Sequence, residues 1–155
     1  MIKTNYSHLF AEATVDVLAT FLEEAAQVGE MRESGSVTLL GECIVFTGLT
    51  GALQGRFLLE FNTECALALC QAMNFGEEFS DLDDFALATL AELANLAGGR
   101  AVSILNNRGV AVSLTPPTVL CGSGMRAIDI CPTVILPVHT VAGDLNINVS
   151  IHEKQ

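Results

Sequence analysis

Residues 83–107 constrain the fold most, because their apolar side chains recur at helical spacing for about seven turns. The large aliphatic residues and several alanines lie on one side of this helix: Leu87, Leu90, Leu93, Ala94, Ala97, Ala101, Ile104 and Leu105. They fall in an arc of roughly 120°, which needs a broad apolar surface to cover it. Strand-like runs follow the end of this segment. A long helix packed on a sheet is therefore the predicted framework of the chain.

Shorter runs before this helix predict further elements. Residues 6–28 place apolar side chains at helical spacing, with Ser7 as the predicted N-cap and Gly29 as the predicted end. Residues 42–47 and 56–61 are rich in β-branched and aromatic side chains. Because several glycines lie between these two runs, they predict a β-hairpin.

The order of the remaining elements indicates the fold class. Residues 63–73 predict a short helix before the long one, and five strand-like runs follow the long helix: 110–114, 118–121, 125–131, 133–140 and 145–151. Pro132 and Pro137 interrupt the later runs, which indicates an edge strand or a bulge. We expect one α+β domain over residues 1–155, with two to three helices packed on one face of a largely antiparallel sheet.

Composition excludes several classes of protein. Of the 155 residues, 50% are hydrophobic and only 16% are charged, which excludes a disordered chain. The formal charge of −11 argues against nucleic-acid partners and against anionic membrane surfaces, because both attract Lys and Arg. No apolar run reaches the roughly 18 residues of a transmembrane helix, and no signal peptide is recognisable. We expect a cytoplasmic protein with some apolar surface that faces a partner.

The cysteines are predicted to be buried free thiols in a reducing compartment. Their number, 5, is odd, no CxxC pair occurs, and each lies in an apolar segment: Cys43, Cys65, Cys70, Cys121 and Cys131. No Lys, Arg or His lies within three residues of any of them, which gives little support to a redox or thiol enzyme. His8, His139 and His152 are far apart in the sequence, so no metal site is predicted.

The face of the long helix opposite its aliphatic arc carries the candidate functional residues. Glu92 and Asn95 are three positions apart, which places their side chains next to each other. Ala88 and Gly99 lie above and below them, so no long side chain shields the pair. Gly98 and Gly99 cost roughly 1 kcal/mol each in a helix, which is tolerable where a partner or the sheet approaches the backbone closely. Taken alone, such a pair is most simply interpreted as a solvated helix surface.

Two apolar residues, Phe85 and Leu96, lie within about 40° of Glu92 around the helix axis. They either pack against the second helix or a loop, or they form an apolar rim that contacts a partner. Their spacing in the sequence is compatible with both interpretations.

Motifs in the long helix and on both sides of it match a known family. Glu92-Leu93-Ala94-Asn95 is followed by Ala97-Gly98-Gly99, and further matching residues flank the helix: Gly48-Leu49-Thr50-Gly51, Gly55, Phe61, residues 66–73, Gly76-Glu77, Ser113-Leu114, Pro117-Thr118-Val119 and Gly122. Over nearly its whole length the chain resembles the CheC/CheX family of chemotaxis phosphatases. One position departs from the pattern, because the family usually has Asp or Ser four residues before the Glu, where this chain has Ala88.

The resemblance implies a phosphatase that acts on the phosphorylated aspartate of a CheY-type response regulator. It implies that Asn95 orients the attacking water in line and that Glu92 pairs with a lysine of the regulator. The regulator holds Mg²⁺, so no metal or other cofactor is expected on this chain. The implied partner-binding surface consists of Phe85, Ala88, Leu96 and Gly99.

The resemblance also implies a homodimer that pairs through sheet edges, and the apolar run Val134-Ile135-Leu136 is the predicted edge. Ala88 leaves a second function open. In this alternative the chain is a non-catalytic CheX-like module that binds a response regulator or a flagellar-switch partner without hydrolysis.

Overall fold

The computed structural model describes residues 2–35, 37–129 and 131–154. In that part of the chain there are three helices, α1 (Ile2–Leu18), α2 (Thr63–Met73) and α3 (Asp84–Asn107), none of them long and apolar enough to cross a bilayer. Ten strands accompany them: β1 (Gln27–Val28), β2 (Arg32–Ser34), β3 (Val37–Leu39), β4 (Cys43–Gly51), β5 (Leu53–Phe61), β6 (Val112–Leu114), β7 (Thr118–Cys121), β8 (Arg126–Ile128), β9 (Thr133–Thr140) and β10 (Gly143–Glu153).

Eight of the strands form one antiparallel sheet with two hairpins at its centre. The strand order is β1-β9-β10-β5-β4-β6, with β2 also pairing with β9 and β7 also pairing with β4. The hairpin of β4 and β5 confirms the one predicted between the first and second helices, and β5 pairs with β10 along its whole length. The first and last hairpins of the chain therefore meet in the middle of the sheet. β3 and β8 form a separate two-stranded sheet.

The three helices pack on one face of the large sheet and enclose an aliphatic core. Phe57 and Leu59 of β5 point into this core, where they are buried together with Leu90 and Leu93 of α3. Phe10 of α1 packs against Phe57, with the two ring centroids 4.9 Å apart. The arrangement confirms the predicted fold class, with helices on one face of an antiparallel sheet.

Polar contacts attach neighbouring segments to the opposite face of the sheet. Arg56 and Glu60 of β5 alternate with the residues that face the helices, so their side chains point to this second face. Arg56 binds Asp129, which follows β8, and Glu60 Oε2 accepts a 2.8 Å hydrogen bond from the backbone N–H of Gly41, which follows β3. These contacts tie the segments beside the small β3–β8 sheet to the large sheet.

The first helix is shorter than its apolar spacing predicts. α1 begins before Ser7, which is buried within the helix and is not its N-cap, and it ends ten residues before the predicted end at residue 28. Phe21 and Leu22 lie in the turns that follow and still pack against the core. Gly29 donates its N–H to the carbonyl of Pro137 in β9, at 2.7 Å. The periodicity beyond residue 18 therefore comes from an irregular segment packed on the core, which spacing alone does not distinguish from a helix.

The predicted sheet edge is wrong, because Val134-Ile135-Leu136 lies in an inner strand. β9 pairs with β10 on one side and with β1 and β2 on the other. Pro137 falls between the residues opposite Arg32 of β2 and Val28 of β1. Its missing N–H therefore lies at the break between these two short strands, so the interruption predicted from the proline is accommodated inside the sheet.

Candidate functional site

The long helix α3 is fixed at both ends and along one side. Asp83 is its N-cap, with Oδ1 accepting a 2.8 Å hydrogen bond from the N–H of Ala86, and the N–H of Val110 returns to the carbonyl of Leu105 at 2.9 Å. Nine of its residues are buried: Ala86, Thr89, Leu90, Leu93, Ala94, Ala97, Gly98, Ala101 and Leu105. The predicted aliphatic arc is therefore correct except at its margin, where Leu87 and Ile104 are only half-buried.

The face of α3 away from the core presents what we call the motif stripe, formed by Ala88, Glu92, Asn95 and Gly99. The first three are exposed and Gly99 is partly exposed. Among the described residues, none forms a hydrogen bond or an ion pair with the side chain of Glu92 or Asn95. The carboxylate and the amide are therefore adjacent, directed to solvent and free to bind groups of another molecule.

The two adjacent glycines of α3 have different surroundings. A Cβ added at Gly98 would lie 2.9 Å from Leu114 Cδ1 and 3.5 Å from Phe57 Cδ2, so this glycine lets α3 pack closely on the sheet. A Cβ added at Gly99 would meet no atom within 4 Å. Of the two explanations for the pair, close packing on the sheet accounts for Gly98, and Gly99 leaves open space on the motif stripe.

Three exposed apolar residues on α3 or in the turn after α2 form what we call the apolar rim: Phe75, Phe85 and Leu96. Phe85 is 52% exposed and Leu96 is 39% exposed, whereas Phe75 is fully exposed. The rings of Phe85 and Phe79 also pack in a T-shaped arrangement, with centroids 5.5 Å apart. Phe85 therefore packs against a loop and still presents apolar surface beside the stripe, which combines the two interpretations of the sequence.

Phe75 is the rim residue that the sequence analysis missed. It follows α2 directly and has a left-handed backbone, with φ of 57°. Its neighbour Asn74 donates from Nδ2 to the carbonyl of Cys70 at 2.8 Å and to Oγ1 of Thr89 at 3.2 Å, which ties the end of α2 to the turn of α3 that carries Ala88. The available signal was a large aromatic residue in a turn, between Asn and Gly, where no apolar partner is required.

The cysteines are not all buried, contrary to the prediction. Cys43, Cys65 and Cys70 are buried, and burial is the largest cause that raises the pKa of their thiols, to about 12, about 12 and about 11. Cys121 is exposed and Cys131 is half-buried. Cys121 lies on the edge strand β7 and Cys131 lies in the loop before β9, so the apolar sequence around these two residues does not enclose the sulfur atoms.

The described residues contain no cluster of three or more His, Cys, Asp or Glu side chains that could hold a metal ion. His139 forms an exposed pair with Asp144, with 3.0 Å between Nδ1 and Oδ1. The basic residue nearest to the stripe along α3, Arg100, binds Asp16 of α1 at 3.0 Å. Glu92 and Asn95 are therefore the polar groups of the motif stripe.

Comparison with known proteins gives matches over most of the chain. A family model described as chemotaxis phosphatase CheX matches residues 43–139. The CheY-P phosphatase CheX of Thermotoga maritima is 30% identical over 109 residues, which cover 70% of each protein.

Solved structures share the fold over nearly the full length. The CheX–CheY–BeF₃–Mg²⁺ complex from Borrelia burgdorferi contains a chain that is 28% identical, with a TM-score of 0.81 and coverage of 96% of this chain and 98% of that one. A chemotaxis protein CheX from Desulfovibrio desulfuricans superposes with a TM-score of 0.83 at 23% identity, covering 97% of this chain and 99% of that one.

Proposed function

The chain belongs to the CheX family of chemotaxis phosphatases, and we propose that its motif stripe is the surface that removes the phosphoryl group from a CheY-type response regulator. The observation that carries the proposal is the adjacent, exposed and unpartnered pair of Glu92 and Asn95 on a rigid helix. Ala88 and Gly99 leave this pair unshielded, so the stripe can enter the pocket of a partner. The Borrelia burgdorferi relative, whose complex contains CheY, supports a partner of this class.

Asn95 is assigned the role of orienting the attacking water. A carboxamide has no accessible pKa, so Asn95 cannot act as a general base. It can donate one hydrogen bond and accept another at the same time, which fixes a water molecule in line with the bond between phosphorus and the aspartyl oxygen. Phosphoryl transfer depends mainly on positioning and on charge stabilisation, so an oriented water is a sufficient contribution from this chain.

Glu92 is assigned the role of fixing the regulator on the helix by pairing with a lysine of the partner. This contact is local, because the net charge of −11 gives no long-range attraction to an acidic pocket. Mg²⁺ comes with the regulator and supplies charge neutralisation at the phosphoryl group. The two residues therefore have separate roles: Glu92 positions the regulator, and Asn95 positions the attacking water.

The proposal is tested by mixing the protein with a phosphorylated CheY-type regulator in the presence of Mg²⁺ and following the release of phosphate. We expect faster release than from the regulator alone. The alternative, a non-catalytic binding module, is motivated by Ala88, which replaces the Asp or Ser usual in the family. Binding of the phosphorylated regulator without any acceleration of phosphate release would favour that alternative.

Gly99 is predicted to tolerate a side chain for folding but not for binding. Gly99→Ala should raise the free energy of unfolding by up to about 1 kcal/mol, because the added Cβ meets open space and alanine is the better helix former. Gly99→Leu should fold but should weaken regulator binding by about tenfold, because its side chain occupies the space into which the partner fits. Ala25→Leu, which adds bulk at an exposed site outside α3, is the control and should leave binding unchanged. Equal affinities for Gly99→Leu and the parent protein would contradict a partner at this position.

The apolar rim is predicted to supply binding energy, and Phe85 does so in addition to its packing against Phe79. Phe75→Ala and Phe85→Ala should each raise the KM for the phosphorylated regulator by about tenfold, because exposed aromatic side chains near polar contacts are frequent binding hot spots. Val141→Ala is the matched control, since Val141 is 57% exposed in the turn between β9 and β10. If the control raises KM as much as the rim variants do, the rim has no specific role.

Two properties of the whole protein complete the proposal. We expect a cytoplasmic location, because all five cysteines are unpaired, as in compartments that keep thiols reduced. We also expect a homodimer formed through an edge of the large sheet, where β1 and β2 or β6 and β7 expose backbone groups. Sedimentation at micromolar concentration measures this state, and a monomer would contradict the dimer.

A further inference from the structure

Two cysteines from different strands face each other at the margin of the large sheet. Cys43 of β4 is directly opposite Cys121 of β7, and their sulfur atoms are 3.7 Å apart. The next pair along the ladder is hydrogen-bonded, since the N–H of Gly122 donates to the carbonyl of Glu42 at 2.9 Å. Cys43 and Cys121 therefore occupy a non-hydrogen-bonded site, where opposed Cα atoms lie about 4.5 Å apart, within the range that a disulfide requires.

The two thiols differ in access to solvent. Cys121 is exposed on an edge strand, whereas Cys43 is fully buried beneath the helices. Burial, followed by the proximity of Cys121, raises the pKa of Cys43 to about 12, so Cys43 keeps its proton at neutral pH. A soluble reagent therefore meets Cys121 first, and the protonated thiol of Cys43 is in contact with the sulfur that has reacted.

We propose that Cys43 and Cys121 form a redox site, which a hydroperoxide oxidises to a reversible disulfide within the chain. In the first step the thiol of Cys121 loses its proton and its sulfur attacks one oxygen of H₂O₂; the O–O bond breaks, sulfenic acid forms, and the released hydroxide takes up that proton to become water. In the second step the sulfur of Cys43 attacks this sulfenic acid, the S–O bond breaks, and water leaves with the proton of Cys43. Overall, two thiols and one H₂O₂ become one disulfide and two water molecules.

The disulfide would link the edge strand β7 covalently to β4. β7 pairs with β4, and Val119 of β7 packs against the core, but the strand is otherwise held by few buried side chains. A bond between residues 78 positions apart removes much conformational freedom from the unfolded chain. We expect oxidation to raise Tm by about 5–10 °C. The motif stripe lies on the outer side of α3, so the disulfide acts on the sheet independently of the proposed phosphatase site.

The positions of Lys and Arg make the pairing directly measurable. Tryptic cleavage separates Cys43 in residues 33–56 from Cys121 in residues 109–126, leaves Cys65 and Cys70 together in residues 57–100, and leaves Cys131 in residues 127–154. The folded, reduced chain is treated with H₂O₂ without denaturant, alkylated, and mapped by mass spectrometry. We expect a mass loss of about 2 Da from the intact chain, a linked peptide pair 33–56 and 109–126, and reversal by dithiothreitol.

Two variants complete the test. Cys121→Ser, at an exposed site, should fold and should lose both the linked peptide and the rise in Tm on oxidation. Cys131→Ser removes the other accessible thiol and should keep both. The proposal is overturned if Cys121 is oxidised beyond sulfenic acid with no linked peptide, if the disulfide joins other peptides, or if oxidation of Cys121→Ser raises Tm equally.

Discussion

Asn95→Ala should lower the rate of phosphate release from the phosphorylated regulator by about 10² to 10³, the usual contribution of one preorganised polar group. The expected cause is the loss of the amide that holds the attacking water in line, so the regulator should revert to its own slow hydrolysis. Asn95 is exposed and has no partner among the described residues, and alanine is the better helix former. The variant should therefore fold at least as well as the parent protein, and the loss should appear in kcat with little change in KM.

Comparison with Glu92→Gln separates the two assigned roles. Removing the carboxylate charge should raise KM more than it lowers kcat, since the pairing with a lysine positions the regulator. Ser103→Ala, at an exposed position of the same helix, is the control for substitutions on this surface and should change neither constant. If Asn95→Ala releases phosphate as fast as the parent protein does, the water-orienting role is wrong. If it instead loses binding, Asn95 is a docking residue.

The motif stripe could be predicted from the sequence because it depends on helical spacing alone. Once residues 84–107 form a helix, Glu92 and Asn95 must share a face, and the covering of the opposite arc by the sheet makes that face the exposed one. Phe75 could not be predicted in the same way. Its place beside α3 depends on the left-handed turn after α2 and on the bond between Asn74 and Thr89, which join elements far apart in sequence.

The same distinction explains the errors in the fold. Local signals specify the central hairpin and α2. The hairpin has a turn that contains glycines, and α2 has Asn62 as its N-cap, with Asn62 Oδ1 accepting a hydrogen bond from the N–H of Cys65. The end of α1 and the inner position of β9 depend on which distant strands pair, and apolar content is similar in an inner strand and in an edge strand. Local patterns therefore predicted the elements and their faces, and pairing across the sheet required the structure.

The largest expected effect on stability is at Asp129, far from the motif stripe. Arg56 donates to it from Nε at 2.6 Å and from Nη2 at 2.5 Å, and Thr133 Oγ1 donates at 2.8 Å. The side chains of Arg56 and Asp129 are only 15% and 11% exposed. Burial raises the pKa of Asp129, but the hydrogen bonds from Arg56 and Thr133 and the charge of Arg56 outweigh it, so the pKa lies below its ordinary value.

Asp129→Ala should lower the free energy of unfolding by about 3 kcal/mol, because it leaves the guanidinium of Arg56 largely buried without its counter-charge. Since folding lowers the pKa of Asp129, its contribution is complete above the unfolded pKa of about 4 and is lost as the pH falls through the folded value. The difference between the parent protein and the variant should therefore be constant from about pH 6 to 8 and shrink below about pH 4. Chemical denaturation with a shared m-value measures it.

A second ion pair of the same chain provides the control. Arg100 and Asp16 are 3.0 Å apart, but their side chains are 53% and 52% exposed, so Asp16→Ala should cost less than about 1 kcal/mol. The double variant Arg56→Leu with Asp129→Leu should recover most of the stability lost in Asp129→Ala, because no buried charge then remains unpaired. Equal losses in Asp129→Ala and Asp16→Ala would show that burial of the Arg56–Asp129 pair does not determine its contribution. The segment after β8 would then have to be held on the sheet by apolar contacts instead.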